Sequence, residues 1–327
     1  MNILITGGAG YIGSHTAKAV ARAGHRPVVL DNLERGHRWA VRWGPLVEGD
    51  LASTETVLRT LREHAIEAVI HFAALTYVGE SMSQPGRYFR NNTVNTLNLL
   101  ESMRETGVKH IVFSSTAAIY GDPREVPIPE THPQHPVNPY GESKLMVERM
   151  LAWYGRIHGI GWIALRYFNA AGADPEGEIG EVHEPETHLI PLALAAASGD
   201  REHLEIFGAD YATPDGTAVR DYIHVTDLAA AHLKGLDSLA AGGASGAYNL
   251  GTGSGASVRE VVRTTQKVTG LRVPFRDSPR RAGDPPELVA AVSKARTELG
   301  WEAAHSSLEE IVETAWRWYK SGASRRR

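Results

Sequence analysis

The chain has 327 residues, room for about two domains and for a core that needs no disulfide or metal staple. It contains no cysteine, which excludes disulfide frameworks, thiolate nucleophiles, iron–sulfur clusters and cysteine zinc sites. Thirty-four basic residues against 38 acidic ones give a formal charge of −4, so no broad basic face for nucleic acid or anionic lipid is expected. The basic end, Ser324 to Arg327, reads as a tail rather than a binding patch. Met1 leads straight into Asn2-Ile3-Leu4-Ile5-Thr6 without a basic leader. The most apolar later stretch, Leu189 to Ser198, is far shorter than the ~20 residues that cross a bilayer. A cytoplasmic protein without a membrane partner is expected.

In chain order, short apolar runs at Asn2 to Thr6, Pro27 to Asp31, Pro45 to Asp50, Ala68 to Ala74, His110 to Ser115 and Trp162 to Phe168 read as strands. Their nearly continuous apolar character is that of a parallel sheet covered on both faces. Helical stretches lie between them at Tyr11 to Ala23, Ser53 to His64, Arg87 to Thr106 and Pro139 to His158. Three are followed by a stop glycine, at Gly24, Gly107 and Gly159. The alternation predicts an α/β fold, a doubly wound parallel sheet of Rossmann type. After Asn169 the rhythm breaks. Residues 1–169 read as a dinucleotide-binding domain, to which about 222–252 returns with a helix near Val225 to Leu239 and a strand at Ala247 to Gly251. Residues 170–221 and 253–327 read as a smaller α/β lobe for the substrate.

Thr6-Gly7-Gly8-Ala9-Gly10-Tyr11-Ile12-Gly13 sets three glycines between the first strand and the first helix. Gly7, Gly10 and Gly13 allow a tight turn and close approach of backbone to a pyrophosphate, whose charge the helix start attracts. Asp31 ends the second strand 18 residues after Gly13, where an acid accepts both ribose hydroxyls and repels a 2′-phosphate. NAD is therefore the expected cofactor. Asp50, followed by Leu51 after the third strand, is placed to touch the adenine.

Tyr140-Gly141-Glu142-Ser143-Lys144 opens the fourth helix with Tyr140 and Lys144 on one face. A neighbouring ammonium and a positive nicotinamide both favour the phenolate, making Tyr140 a usable base. Strand five ends in Phe113-Ser114-Ser115-Thr116, and Thr116 can hydrogen-bond the same substrate hydroxyl. His183-Glu184-Pro185-Glu186-Thr187-His188 holds histidines five apart with a proline between them. That excludes the helical zinc-protease pattern, and no metal is expected.

These segments are joined by Asp31-Asn32, Glu48-Gly49-Asp50, Val69-Ile70-His71-Phe72-Ala73-Ala74, Leu165-Arg166-Tyr167-Phe168-Asn169 and Val219-Arg220-Asp221-Tyr222-Ile223-His224-Val225. Together, over nearly the whole chain, they resemble the extended short-chain dehydrogenase/reductase superfamily and, within it, the UDP-galactose (UDP-glucose) 4-epimerases. The resemblance implies an isomerase that oxidises the sugar at C4 and reduces it again on the other face. In it Tyr140 is the base, Lys144 lowers its pKa and holds the nicotinamide ribose, and Thr116 fills a Ser/Thr position. Tyr11, Ile12, Asn32, Asp50, Leu51, Phe72, Ala73, Ala74, Asn92 and Phe168 fall with the glycines and Asp31 at positions that line NAD.

For the UDP-sugar, the resemblance implies Asn169, His188, Ile206, Phe207, Arg220, Arg281 and Asp284. Guanidinium forks suit a diphosphate, and Phe207 could stack on uracil. His188 stands where other members carry Asn, and Thr76 where several carry Lys. Leu288 aligns with the gate that separates hexoses from N-acetylhexosamines, and its intermediate size leaves N-acetyl and pentose substrates open. The resemblance also implies a homodimer through the helices at Arg87 to Thr106 and Pro139 to His158. The rival 4,6-dehydratases place carboxylates after the strand-five Thr, where this chain has Ala117-Ala118. A non-catalytic NAD-binding regulator would have no use for Tyr140 and Lys144.

Overall fold

The computed structural model describes residues 1–281 and 283–322, so the Ser324 to Arg327 tail lies outside the described residues. The chain begins β1 (Asn2–Thr6), α1 (Tyr11–Arg22), β2 (Arg26–Asp31), β3 (Leu46–Glu48), α2 (Thr54–Glu63) and β4 (Ala68–His71). It continues with α3 (Val78–Ser83), α4 (Pro85–Tyr88), α5 (Asn95–Thr106), β5 (His110–Thr116), α6 (Pro139–His158), β6 (Gly161–Tyr167) and β7 (Asn169–Ala171). Next come α7 (Leu189–Ser198), β8 (Leu204–Phe207), β9 (Val219–Arg220), β10 (Tyr222–His224), α8 (Val225–Ala240), β11 (Gly246–Leu250), β12 (Ala256–Ser257) and α9 (Val258–Thr269). The last elements are β13 (Phe275–Ser278), β14 (Glu287–Leu288), α10 (Ser293–Leu299) and α11 (Leu308–Lys320).

Seven strands form one parallel sheet in the order β11-β6-β5-β4-β1-β2-β3. Successive side chains of a strand point to opposite faces. Ile3 and Ile5 of β1 therefore join Val20 of α1 and Leu228 and Leu236 of α8 in one core, while Leu4 joins Val57, Leu99, Val147 and Leu151 in the other. Helices α1 and α8 cover one face, and α2, α5 and α6 the other. Strand order reverses between β1 and β4, which opens a crevice beyond their carboxyl ends.

Three expected elements differ in extent. The strand at Pro45 to Asp50 shrinks to β3, and that at Ala68 to Ala74 stops at His71, because Phe72 and Ala73 turn their amides to the Thr6 carbonyl. The helix expected from Arg87 starts at Pro85 and passes through a π-helical turn at Phe89–Val94 before α5. The wider turn places Asn92 inward. The second half builds a separate lobe of short sheets, β13-β8 and β12-β9-β14, packed with α7, α9 and α11. No helix among the described residues is long and apolar enough to cross a membrane.

Candidate active site

The glycine loop joins β1 to α1 at the sheet's reversal point. Gly7 has φ +71°, and a Cβ there would meet the Ala73 nitrogen at 2.6 Å, so the loop lies directly on the chain leaving β4. Gly10 caps α1 with no side-chain hydrogen bond, and the first turn carries no acid. The helix start thus keeps orphan amides and a positive dipole end for an anion. Tyr11 turns its hydroxyl to the Gly172 carbonyl at 2.6 Å, tying this turn to the second half of the chain.

Asp31 is buried at the end of β2, and its two oxygens accept the amides of Ala9 at 3.0 Å and Leu33 at 2.8 Å. Burial pushes its carboxyl up while these amides pull it down. Each oxygen keeps a lone pair, enough for a vicinal diol. Asp50 is spent otherwise: it accepts from Asn32 at 2.8 Å, from the Ala52 amide at 2.7 Å and from Asn95 at 3.3 Å. It braces the loops that follow β2 and β3, with Leu51 buried behind it. Phe72 packs against His232, ring centroids 4.5 Å apart, and Ala74 follows Ala73 in the loop beneath Gly7.

Asn92 is buried and gives both amide hydrogens to protein, to the Leu75 carbonyl and Ser143 Oγ, each at 3.0 Å. Its oxygen accepts the Leu75 amide at 2.8 Å. It pins the loop after β4 to α6.

Helix α6 starts at Asn138, whose side chain accepts the Gly141 amide at 2.8 Å, with Pro139 in its first turn. A Cβ on Gly141 would lie 2.5 Å from the Ala118 carbonyl, so only glycine lets the helix start lie against the end of β5. There Tyr140 stands beside Thr116. Burial pushes the Tyr140 phenol up, and the neighbouring Thr116 side chain offsets part of that rise. Lys144, one turn on, is only 2% exposed and donates to the Ser114 carbonyl at 2.8 Å. Burial lowers its pKa to about 7, against the attraction of Glu148. The spacing assigns the lowering of the phenol pKa to Lys144. In this arrangement Thr116 stands beside the phenol and favours its ionised form, while the Lys144 amine is turned to a backbone carbonyl.

Behind them lies a buried network that the sequence reading passed over. Glu148 pairs with Arg166, whose Nε lies 3.0 Å from Oε1, and accepts from Ser115. Arg166 donates to the Tyr120 hydroxyl at 2.9 Å, which donates to Asn249 at 2.6 Å. The network ties β5, α6, β6 and β11 together beneath the Tyr140 turn. Tyr167 also reaches the site, bonding Ser114 from β6. Its position inside the Leu165 to Asn169 motif is the signal that could have found it.

The residues expected at the substrate come from both halves. Asn169 donates to the Asp221 carbonyl at 3.1 Å. Arg220 pairs with Asp284 and donates to the Pro285 carbonyl at 2.9 Å. Arg281 stacks its guanidinium 4.1 Å from the Phe207 ring centroid. A groove lined by Asp122, Val126, Arg281, Asp284 and Glu287 runs past them. Leu288 is in register with Arg220, and packs with Phe168 on the cluster that contains Ala117 and Leu145. Two residues depart from the expectation. The Ile206 side chain is fully buried in the core under α7, which leaves only its backbone for a ligand. The His188 ring turns to Glu181 and Glu186, its Nδ1 2.6 Å from Glu181.

Residues 3–251 match the model of the NAD dependent epimerase/dehydratase family. The chain belongs to that family. It is 51% identical over 320 residues, 98% of this chain and 96% of the relative, to the UDP-glucose 4-epimerase of Halalkalibacterium halodurans. Among solved structures it is similar to UDP-glucose 4-epimerase from Brucella ovis in complex with NAD, with TM-score 0.95 and 51% identity over 96% of this chain and 97% of that one. It is also similar to UDP-glucose-4-epimerase from Stenotrophomonas maltophila with bound NAD and formylated UDP-arabinopyranose, with TM-score 0.96 and 40% identity over the whole of both chains. The epimerase family's NAD fits the residues present: a loop in which a Cβ on Gly7 or Gly13 would strike backbone, an uncapped helix start, and the Asp31 carboxylate.

Proposed function

We propose that the chain is a UDP-glucose 4-epimerase interconverting UDP-galactose and UDP-glucose through a 4-keto sugar. The observation that carries this reading is the meeting of Tyr140 and buried Lys144 on α6 with Thr116 at the carboxyl end of β5, in the sheet that also opens onto the uncapped start of α1. It stands in a chain about half identical over 98% of its length to an enzyme of that name. Residues 1–169 with 222–252 hold NAD, and 170–221 with 253–327 hold the nucleotide sugar.

When bound, NAD would supply hydride-transfer chemistry at C4 in both directions. Gly7, Gly10, Tyr11, Ile12 and Gly13 cradle its pyrophosphate, while Asp31, Asn32 and Leu51 hold the adenosine end and Phe72, Ala73, Ala74 and Phe168 line the remainder. Tyr140 takes the proton of the 4-hydroxyl in the first half of the reaction and gives it back in the second. Thr116 stabilises the phenolate by hydrogen bonding. Arg220 and Arg281 grip the diphosphate with Asp284 and Asn169 beside them, and Phe207 stacks on the uracil. Anchoring at UDP leaves the sugar free to turn about its link. Ala117 and Ala118 after Thr116 offer no carboxyl to expel water, which sets this reading above a 4,6-dehydratase.

The test gives purified protein UDP-galactose with no added cofactor and follows the sugar nucleotides by NMR. UDP-glucose is expected to appear to equilibrium; no turnover even with NAD supplied would sink the reading. A second reading, a UDP-pentose pair, draws on the UDP-arabinopyranose derivative named with the Stenotrophomonas maltophila structure and on the intermediate size of Leu288. UDP-arabinose in the same assay separates the two.

The chemistry serves galactose metabolism in the cytoplasm. Val94, Leu97, Trp153 and Ile157 leave large apolar surface exposed on and beside α5 and α6, the last two at 60% and 66%, and support a homodimer through these helices. Light scattering at micromolar concentration is expected to give twice the chain mass.

A further inference from the structure

We propose that Glu181, His183, Glu186 and His188 form a binding site for one divalent metal ion, best suited to zinc, that fixes the loop before α7 over the glycine turn. The sequence excludes a helical zinc motif here, and no helix forms at 181–188. The loop instead brings one donor atom from each of the four residues within 4.8 Å of every other.

The separations suit a metal. Glu181 Oε1 lies 2.6 Å from His188 Nδ1 and 3.1 Å from His183 Nδ1, and Glu186 lies 3.3 Å from His188 and 3.8 Å from His183. Four zinc ligands with bonds of about 2.0–2.2 Å define a tetrahedron with edges of about 3.4 Å, in the middle of this range. Two imidazoles and two carboxylates are a borderline donor set that favours zinc over calcium or magnesium. Glu181 and Glu186 hold a proton on His188, which a metal must displace; with both histidines then neutral the donors sum to −2.

A second observation points to a ligand. The Glu181 side chain is 93% buried by its 7% exposure, yet Glu181 Oε1 and His183 Nδ1 are buried atoms without a hydrogen bond. The nearest groups to Glu181 Oε1 are the two histidine nitrogens, at 2.6 and 3.1 Å, neither of which meets hydrogen-bond geometry. Buried polar atoms without a hydrogen bond are costly unless something fills their valence. No Lys or Arg pairs with Glu181 or Glu186 among the described residues. The contrast is the carboxylate trio Asp174, Glu176 and Glu178, where the Lys18 ammonium sits 2.7, 3.0 and 2.7 Å from the three oxygens and supplies the cation.

The loop is also held in place from both halves of the molecule. Trp318 Nε1 donates to the Glu181 carbonyl at 3.1 Å, Arg35 to the Glu184 carbonyl at 3.2 Å, and Tyr77 to the Pro185 carbonyl at 3.3 Å. The Glu186 carboxylate is oriented by the Thr187 and His188 amides at 2.7 and 2.8 Å. The His183 ring stands edge-on to Tyr11 and Tyr77, each 6.3 Å away. A metal here staples the second half of the chain to the turn that opens α1. It also engages His188, which is then not a free donor to a diphosphate.

The test strips the purified full-length protein with chelator, loads it with zinc sulfate, dialyses it, and measures metal by elemental analysis and affinity by calorimetry. About one equivalent per chain is expected, with a zinc-dependent rise in melting temperature. Glu181→Gln and the half-exposed His188→Ala each remove one donor and are expected to weaken binding at least about 100-fold and abolish the thermal shift. Retention of NAD by each variant shows that it is folded. Cobalt substitution should give the intense visible bands of a four-coordinate site. Wild-type protein that takes up no zinc, the four residues then forming imidazolium–carboxylate pairs only, overturns the proposal. So do variants that hold zinc as tightly as wild type, which would place the metal on other histidines.

Discussion

A Cβ placed on Gly13 would sit 2.3 Å from the carbonyl oxygen of Gly7, and within 2.8 Å of the Gly8 Cα. Neither contact involves a side chain that could swing away. The first turn of α1 and the glycine loop are therefore one unit, and the orphan amides at Tyr11 to Gly13 keep their direction only while that contact is bare. Gly13→Ala should displace the loop and lower NAD affinity by at least about tenfold, since one or two kcal/mol of lost positioning suffices. Nucleotide released on denaturing the purified variant measures this. Wild-type occupancy would show that the loop tolerates the methyl group.

Tyr140→Phe keeps the ring and removes the hydroxyl that Thr116 touches. Turnover should fall by about 10²–10⁴, the range for a lost general base, while bound NAD is retained. Wild-type rates would remove Tyr140 from the chemistry.

Thr116→Val has a different signature. The Thr116 side chain favours the phenolate, so losing its hydroxyl raises the Tyr140 pKa. The base then ionises at higher pH. The acidic limb of the kcat/KM profile should move to higher pH, whereas a purely structural role for Thr116 would lower the profile without shifting it.

Glu148 and Arg166 are both buried, and neither has solvent to fall back on. Glu148→Gln leaves the guanidinium charge uncompensated and should cost about 3–5 kcal/mol of stability. Urea unfolding of the variant checks it, and a loss under about 1 kcal/mol would mean that Tyr120 and the Glu130 carbonyl hold the charge without Glu148.

Four buried histidines govern acid stability. Burial lowers His71 to about 3 and His15, His224 and His232 to about 4, from an ordinary value near 6.5. Between these values the unfolded chain binds more protons than the folded one, so stability falls as pH drops from about 6.5 towards 4. Each group contributes a slope of up to about 1.4 kcal/mol per pH unit. His71 accepts no solvent, bridging Thr6 at 2.6 Å and Thr96 at 2.8 Å. His71→Asn should flatten the dependence by one proton in denaturation series at pH 7 and pH 5. An unchanged slope would show that His71 is protonated in the fold.

The features that depend on local backbone are legible in the amino-acid order alone. Apolar runs and stop glycines give the alternation, Gly7 and Gly13 give the tight turn, Asp31 stands at a strand end, and Tyr140 and Lys144 share a helix face. Each signal lies within a few residues, where dihedral preference and periodicity act. Tertiary structure decided which side chains meet. The π-helical turn that aims Asn92 at Leu75 and Ser143 breaks the helix expected from Arg87, because the turn is held by partners 17 and 51 residues away. Ile206 became core because α7 and α9 close over β8. Lys144 gave its hydrogen bond to Ser114, and Tyr120 found Asn249 across 129 residues of chain. At 181–188 the histidine spacing fits no helical motif, yet a loop bends the same donors onto one point. Spacing encodes geometry only where the backbone is regular, and in a loop anchored by Arg35, Tyr77 and Trp318 long-range packing sets it instead.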